Sequence, residues 1–453
     1  MLNCEKEGWI TFMVIVIMTL TLELSWARSI CPADKEGNQP CECTAKREGV
    51  VLVCDRTKLS DVELSMNFFR ERGGTVINYL TIRQSHVGRI PNGFFMGLDI
   101  RHLIVSNTDL AVFEESSLSA LETKLELLDL PQNRIQIVPT PALKHLKATR
   151  LLTLNHNELS YIGPKAFDGM KSLARLNLYD NKITRIDAQA FAGLDTLEFL
   201  NLGGNLLTAV PIDSIKRLSN LTSLELQENR IVTISEKDFV GLKNLDTLKL
   251  AHNFITELGP YVFRYLSKAS QLDLEGNRIN RLDNNAFKGL EETLKWLKMA
   301  NNSIREIPTM ALKDMHKLQE FDFKKNNISE IKDDAFDMFG KTVKFIYLQS
   351  NQISSLPVTV FGEMHSLDHI FLGNNRLEHL MRDVFQPIID TVQIIDVQGN
   401  PLVCDCGLLW YKQWLGQKVT THDSVKEISL KTHCWTKKPR HEYSISKVSS
   451  FCL

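Results

Sequence analysis

The stretch NLDTLKLAHNFI, residues 244–255, recurs in outline along most of the chain: NLTSLELQENRI occupies 220–231 and LARLNLYDNKI occupies 173–183. The asparagines of these phrases fall in register at Asn133, Asn157, Asn181, Asn205, Asn229, Asn253, Asn277, Asn302, Asn326, Asn351, Asn375 and Asn400, always 24 or 25 residues apart. A fixed short period means that one supersecondary unit is stacked many times, so the fold follows from one coil. In the L-x-L core of each phrase (Leu176 and Leu178, Leu224 and Leu226) inward and outward positions alternate, as a short strand requires. Strands of successive coils then lie side by side as a parallel sheet. The asparagine sits where the chain leaves the strand, and its amide, both donor and acceptor, can satisfy backbone groups that have lost their ladder partners.

The pattern L-x-x-L-x-L-x-x-N-x-L resembles the leucine-rich repeat over nearly the whole chain. The resemblance implies an α/β solenoid, a curved horseshoe with a parallel β-sheet on its concave face. Two degenerate coils come first, with Ser85 and Thr108 in place of the asparagine, and the repeat is regular from Leu125 to Leu402, about fourteen coils in all. The other half of each coil reads x-x-A-F-x-G-L; Phe167, Phe191, Phe239, Phe263, Phe287, Phe336, Phe361 and Phe385 hold one place and predict an apolar spine behind the sheet. Four coils carry one extra residue before the strand (ETKLELLDL, ETLKWLKM, KTVKFIYL, DTVQIIDV), which can bulge outward without shifting the inward set.

The ends differ from the middle. An apolar run from Trp9 to Leu22 precedes Ser25-Trp26-Ala27, which suits a signal peptide cleaved after Ala27, although Glu5-Lys6-Glu7 makes a less basic start than usual. Retention of the same run as a membrane anchor is the rival reading. No second apolar segment follows, so no membrane span is expected in the mature chain. Apart from Cys4, the cysteines form two clusters, Cys31, Cys41, Cys43 and Cys54 before the coils and Cys404, Cys406, Cys434 and Cys452 after them. Open solenoid ends need polar caps, and caps without a core need cross-links. Behind a signal peptide, disulfides are favoured over zinc, and each cluster admits three pairings. The clusters resemble the caps of extracellular leucine-rich-repeat proteins, NPLVCDCGLLWYKQWL at 400–415 above all. That resemblance implies Cys31–Cys43, Cys41–Cys54, Cys404–Cys434 and Cys406–Cys452. The expected organisation is a signal peptide at 1–27, an N-terminal cap at 28–75, repeats at 76–403 and a C-terminal cap at 404–453, in a secreted, extracellular protein.

Catalytic signatures are absent from the sequence. The twelve histidines show no metal-ligand spacing, and neither a nucleophile elbow nor a phosphate loop occurs, so no enzyme, cofactor or metal is expected. With 53 basic and 54 acidic residues, a nucleic-acid partner has no electrostatic support. Outward strand positions are not dictated by the repeat and carry the information. The middle column runs Glu225, Lys249, Asp273, Lys298, Asp322, a sign-alternating row that reads as a self-paired, solvated face. Trp296, Phe345, Tyr347 and Phe371 place four large aromatics on the outward columns of the last five coils, and these are the candidate partner-binding residues. A C-terminal cap folding over them is the competing reading. Asn220, Asn301 and Asn327 stand in N-x-S/T triplets and are candidate glycan acceptors. From Cys404 onward eight Lys or Arg oppose four Asp or Glu; with Lys437, Lys438, Arg440 and His441 this suggests sulfated polysaccharide as a minor partner beside a protein ligand.

The opening CPADKEGNQPCECTAKREGVVLVCD and the degenerate coils NYLTIRQSHVGRIPNGFF and RHLIVSNTDLAVFEESSL resemble, more narrowly, the non-catalytic leucine-rich-repeat subunit of oplophorus-luciferin 2-monooxygenase and its arthropod relatives. The resemblance implies a secreted companion or scaffold without catalytic residues. Three functions follow: a secreted binding or scaffold protein for another protein, an extracellular matrix or cell-surface adhesion component, and an accessory subunit of a secreted oxidative enzyme.

Overall fold

The structure, a computed structural model, describes residues 31–32, 40–419, 423–436 and 440–452. The signal-peptide reading of residues 1–27 lies outside them. The chain divides at Leu200 and Asn201 into two compact units. In the first, Glu42–Lys46 pairs antiparallel with Gly49–Asp55, which runs parallel to Val76–Arg83. Asp99–Ser106, Leu127–Asp129, Leu151–Thr153 and Arg175–Asn177 follow in parallel, each beside its predecessor. Phe199–Asn201 falls at the boundary. The second unit carries the parallel strands Ser223–Glu225, Thr247–Lys249, Gln271–Asp273, Trp296–Lys298, Glu320–Asp322, Phe345–Tyr347, His369–Phe371 and Ile394–Asp396, again in chain order.

The expected asparagine ladder is present. All twelve asparagines are buried, at 3–8% exposure. Asn253 shows the pattern: its Nδ2 donates to the carbonyls of Leu226 (2.9 Å), Leu250 (3.0 Å) and Ala251 (3.3 Å), and its Oδ1 accepts from the Ile231 amide (3.0 Å). Leu226 and Ile231 belong to the preceding coil, so each asparagine closes its own turn and ties it to its neighbour. In the degenerate coils a hydroxyl substitutes: Ser85 Oγ accepts from the Thr57 amide at 3.0 Å, and the Thr108 hydroxyl bonds Asn133 Oδ1 at 2.6 Å. The residue before each regular asparagine is left-handed wherever a value is given, from Gln132 (φ 56°) through His252 (55°) and Lys325 (53°) to Gly399 (71°).

The phenylalanine spine also forms. Ring centroids of Phe239, Phe263 and Phe287 are 5.9 Å apart in succession, and Phe336–Phe361 and Phe361–Phe385 are separated by 6.3 and 5.6 Å. The glycine after the spine lets backbones approach: a Cβ on Gly241 (φ 91°) would stand 2.1 Å from the Lys216 carbonyl oxygen. The extra residue of four coils has a definite home. Leu125, Leu294 and Val392 bond back four residues, to the carbonyls of Leu121, Leu290 and Ile388, where Leu173, Leu221 and Leu245 bond back three. In these three coils the residue is taken up as a wider turn; in the fourth Val343 bonds back three, to Gly340, whose own amide reaches back four to Phe336, and Leu125, Leu294, Val343 and Val392 all stay fully buried.

Two features depart from the sequence reading. Residues 55–73, for which the repeat pattern gives no element, contain the helix Leu59–Arg72, which buries Val62, Met66 and Phe69 at helical spacing. Of the implied bridges, Cys31–Cys43, Cys41–Cys54 and Cys404–Cys434 are closed, while Cys406 and Cys452 stand in side-chain contact without one. The cap that holds them has its own packing. Tyr411, Trp414 and Leu415 of the helix Leu409–Lys418 are buried with Val425, Ile428, Ile445 and Val448, and the Tyr411 hydroxyl donates to the Ile395 carbonyl at 2.8 Å. Van der Waals packing therefore docks the last segment without the fourth bridge.

Candidate partner-binding face

The outward columns of the second unit are fixed by strand register. Phe345 lies opposite His369 and Tyr347 opposite Phe371. The Tyr347 and Phe371 rings stack at 4.9 Å and 3° between planes, and Phe345 and His369 stack at 5.1 Å. Inward Ile346 and Ile370 fill the core, so the four rings stand together on the open face as a two-by-two block, each partly exposed. Three of the four aromatics expected from sequence are thus brought together. Trp296 is set apart: it faces Glu320, which in turn faces Phe345, and Lys295 Nζ lies 5.6 Å from its ring centroid. His369 takes the fourth place in the block. Its signal in the sequence was its position alone, the residue before the inward Ile370.

Carboxylates border the rings. Asp322 lies opposite Tyr347, and Asp396 lies opposite Phe371. Lys324 Nζ bonds Asp322 at 2.8 Å and lies 6.0 Å from the Tyr347 ring centroid. Burial works against the Lys324 charge, but the bond to Asp322 and nearby carboxylates prevail and hold its pKa above the usual lysine range. Burial pushes the Glu320 carboxyl up despite Lys298, pushes Asp396 up despite its bonds from Gln398, and pushes the Tyr347 hydroxyl up as well.

The middle column has a local structural role that sequence reading did not assign. Asn177, Asn201, Asp273, Asp322 and Asp396 each accept, through Oδ1, the amide two residues on, at 2.9–3.2 Å. These side chains cap the turn out of the strand. The sign-alternating row is only partly self-paired and not wholly solvated: Lys249 bonds Glu225, which is buried, at 2.6 Å.

The C-terminal cap meets the last coils through Tyr411 at Ile395, Lys418 at Gln393 (2.9 Å) and the Trp410 indole at the Leu380 carbonyl (2.8 Å). Asn220, Asn301 and Asn327 are exposed, whereas the ladder residues Asn302 and Asn326 beside the last two are buried. Of the basic patch, Lys437 and Lys438 lie outside the described residues. Among the described residues, no cluster of His, Cys, Asp and Glu could hold a metal ion, and no helix is long and apolar enough to cross a membrane.

Comparison with known proteins agrees with this architecture. The leucine-rich-repeat family model matches residues 150–207, 200–255, 243–293 and 341–402. The chain has a leucine-rich-repeat solenoid fold with disulfides near both ends. Proteins of this class generally mediate protein–protein recognition and are typically non-catalytic. Among solved structures, an internalin of Listeria monocytogenes is similar at 23% identity, covering 74% of this chain and 87% of its own, with a TM-score of 0.54. A leucine-rich-repeat protein of Leptospira interrogans is 22% identical over 74% of this chain and 89% of its own, at 0.48. The likeness to the internalin concerns the fold alone. No curated protein matches the sequence, and nothing found supports the luciferase-subunit resemblance.

Proposed function

We propose that this is a secreted, non-enzymatic binding or scaffold protein that recognises another protein through the concave face of its repeats. Contact centres on Phe345, Tyr347 and Phe371, joined by His369 and bordered by Trp296. The observation that carries this reading is the partly exposed ring block on two adjacent strands, since aromatic side chains held rigidly on a sheet face are the residue type that dominates binding hot spots. Glu320 and Asp396, whose charged forms are disfavoured by burial, add a preference for a partner surface that brings cations. Closed disulfides near both ends support an oxidising compartment, and exposed Asn220, Asn301 and Asn327 are suited to glycans.

The test is capture of the intact protein's partner from the native extracellular fluid, followed by affinity measurement with Tyr347→Ala and Trp296→Ala. Tyr347→Ala should weaken binding by roughly thirtyfold or more without lowering the melting temperature. Trp296→Ala, at the border, should weaken it by a smaller factor. If Tyr347→Ala instead unfolds the C-terminal coils and spares affinity, the rings are covered core. Recovery of a sulfated polysaccharide alone would favour the adhesion reading, and recovery of an oxidative enzyme would favour the accessory-subunit reading.

A further inference from the structure

The open face of the first unit's sheet is more apolar than a merely solvated face needs to be. Along its first outward column Tyr79, His102, Leu127 and Leu151 lie opposite one another on successive strands, and Ile104 stands beside them in the middle column. All five are partly exposed, Tyr79 the most at 37%, whereas the inward Leu80, Leu103, Leu128 and Leu152 already fill the core at 0%. The start of the strip is held in place. The Tyr79 and His102 rings stack at 4.3 Å with 24° between planes, and His102 Nδ1 meets the Asn78 carbonyl at 2.9 Å. Contiguous apolar side chains fixed on an open face mark a recognition surface, which singly scattered ones do not.

Asp129 lies opposite Ile104, in the same middle column, and it differs from the other acids and amides there. Asn177, Asn201, Asp273, Asp322 and Asp396 each accept the amide two residues on and so cap the turn out of the strand. Two residues after Asp129 stands Pro131, which has no amide proton to give. Asp129 is therefore left without this local task. Its side-chain partner is the Thr153 hydroxyl on the next strand; no cation among the described residues acts on it, and burial holds its carboxyl above the usual aspartate range. Nearby bases are engaged elsewhere: Arg101 with Asp99 at 3.3 Å, Arg83 with Asp55 at 3.4 Å, and Arg175 over the Phe199 ring at 4.5 Å. A second acceptor stands two residues beyond Thr153, where Asn155 Oδ1 is buried and receives no donor.

We propose that this strip is a second recognition surface, which takes an extended segment of a protein partner carrying a lysine or arginine between apolar side chains. The apolar groups lie along Tyr79, His102, Leu127, Leu151 and Ile104, and the cation reaches Asp129. Charge decides the occupant. A purely apolar segment would bury the Asp129 carboxylate uncompensated, and an acidic one would meet it in repulsion. A cation supplies the missing partner, and the apolar side chains around it exclude the water that weakens an exposed pair. The strip lies wholly within the first unit and shares no residue with the ring block of the second.

The test uses the intact protein and labelled synthetic peptide mixtures in which valine, leucine and tyrosine surround a central arginine, lysine, glutamine or glutamate, with binding read by fluorescence anisotropy. Arginine- and lysine-centred mixtures should bind roughly tenfold or more tighter than the other two. Asp129→Asn should remove most of that preference and leave the protein folded, since no backbone amide depends on the carboxylate. Asp129→Lys should turn the preference toward glutamate, and Leu127→Thr should weaken every mixture. Tyr347→Ala, in the ring block, should change none of these results. The proposal is overturned if no mixture binds, if the central residue makes no difference, or if a folded Asp129→Asn protein keeps the preference. Binding abolished by Tyr347→Ala and spared by Asp129→Asn would place the peptides on the ring block and overturn it too. A concentration-dependent dimer that Leu127→Thr dissociates would put a second copy of the chain on the strip, with the same consequence.

Discussion

Replacement of Asn253 by alanine removes four hydrogen bonds in one buried place. Three are donated by Nδ2 to Leu226, Leu250 and Ala251, and one is accepted by Oδ1 from Ile231. The site is 3% exposed, so water cannot replace them without a local opening. The Ile231 amide is the critical group. A peptide N–H has one proton to give, whereas each carbonyl keeps a second lone pair; stranding the amide costs about 1–3 kcal/mol, and the weakened carbonyls bring the expected loss to the upper end of that range. Urea unfolding monitored by circular dichroism should show a lower midpoint with an unchanged slope. Asn244→Ala is the control. Its Nδ2 donates to the Ser219 carbonyl at 2.8 Å and its Oδ1 accepts from Lys268 at 2.6 Å, both at the surface where water replaces them, so their loss should cost about 1 kcal/mol or less. An Asn253→Ala protein as stable as wild type would show that the ladder does not hold the coils together.

Two further outcomes follow from the backbone and the charges. Gly241→Ala should destabilise by about 2–4 kcal/mol, because the new Cβ meets the Lys216 carbonyl oxygen at a φ of 91°; Lys325→Gly, which relieves a left-handed lysine at φ 53°, should cost nothing or stabilise by up to about 1 kcal/mol, both read from urea midpoints. Asp396→Asn should stabilise the protein at neutral pH. The folded-state pKa of Asp396 is raised, so the native state binds more protons than the unfolded state between the two pKa values, and stability contributed by this group falls as pH rises through that window. The advantage of the asparagine variant should therefore shrink as pH falls toward the ordinary aspartate range, and an advantage unchanged with pH would refute this origin.

Much of the fold was legible because single residues carry heavy constraints. The asparagine at the end of each strand makes several backbone bonds that few other side chains can make, and phenylalanines in most convex halves stack where adjacent coils both carry one. These demands surface as a period in the sequence. The left-handed residue before each asparagine left only a weak trace, in Gly204, Gly276, Gly399, Asn301 and Asn374. Gln132, His156, Glu228 and Lys325 also occupy it, since the neighbouring coils over-determine the backbone and these side chains are exposed. The helix Leu59–Arg72 was hidden because only one stripe of it is apolar and it occurs once, without a repeat to expose it. At the candidate site, strand alternation placed Phe345, Tyr347 and Phe371 outward, but not the partners of the charges. Whether Lys249 turns to Glu225 or to Asp273, both one strand away, depends on side-chain geometry, and Asp273 is engaged by the Glu275 amide.

Hydroxyl-radical footprinting of the protein with and without its captured partner tests the proposed site most directly, because ring oxidation reports side-chain exposure. Partner binding should suppress oxidation at Phe345, Tyr347 and Phe371 and leave exposed Tyr261 and Phe254, away from the outward strand columns, unchanged. Suppression at Tyr261 and Phe254, with undiminished oxidation at Tyr347 and Phe371, would contradict the account and move the recognition surface off the open face of the sheet.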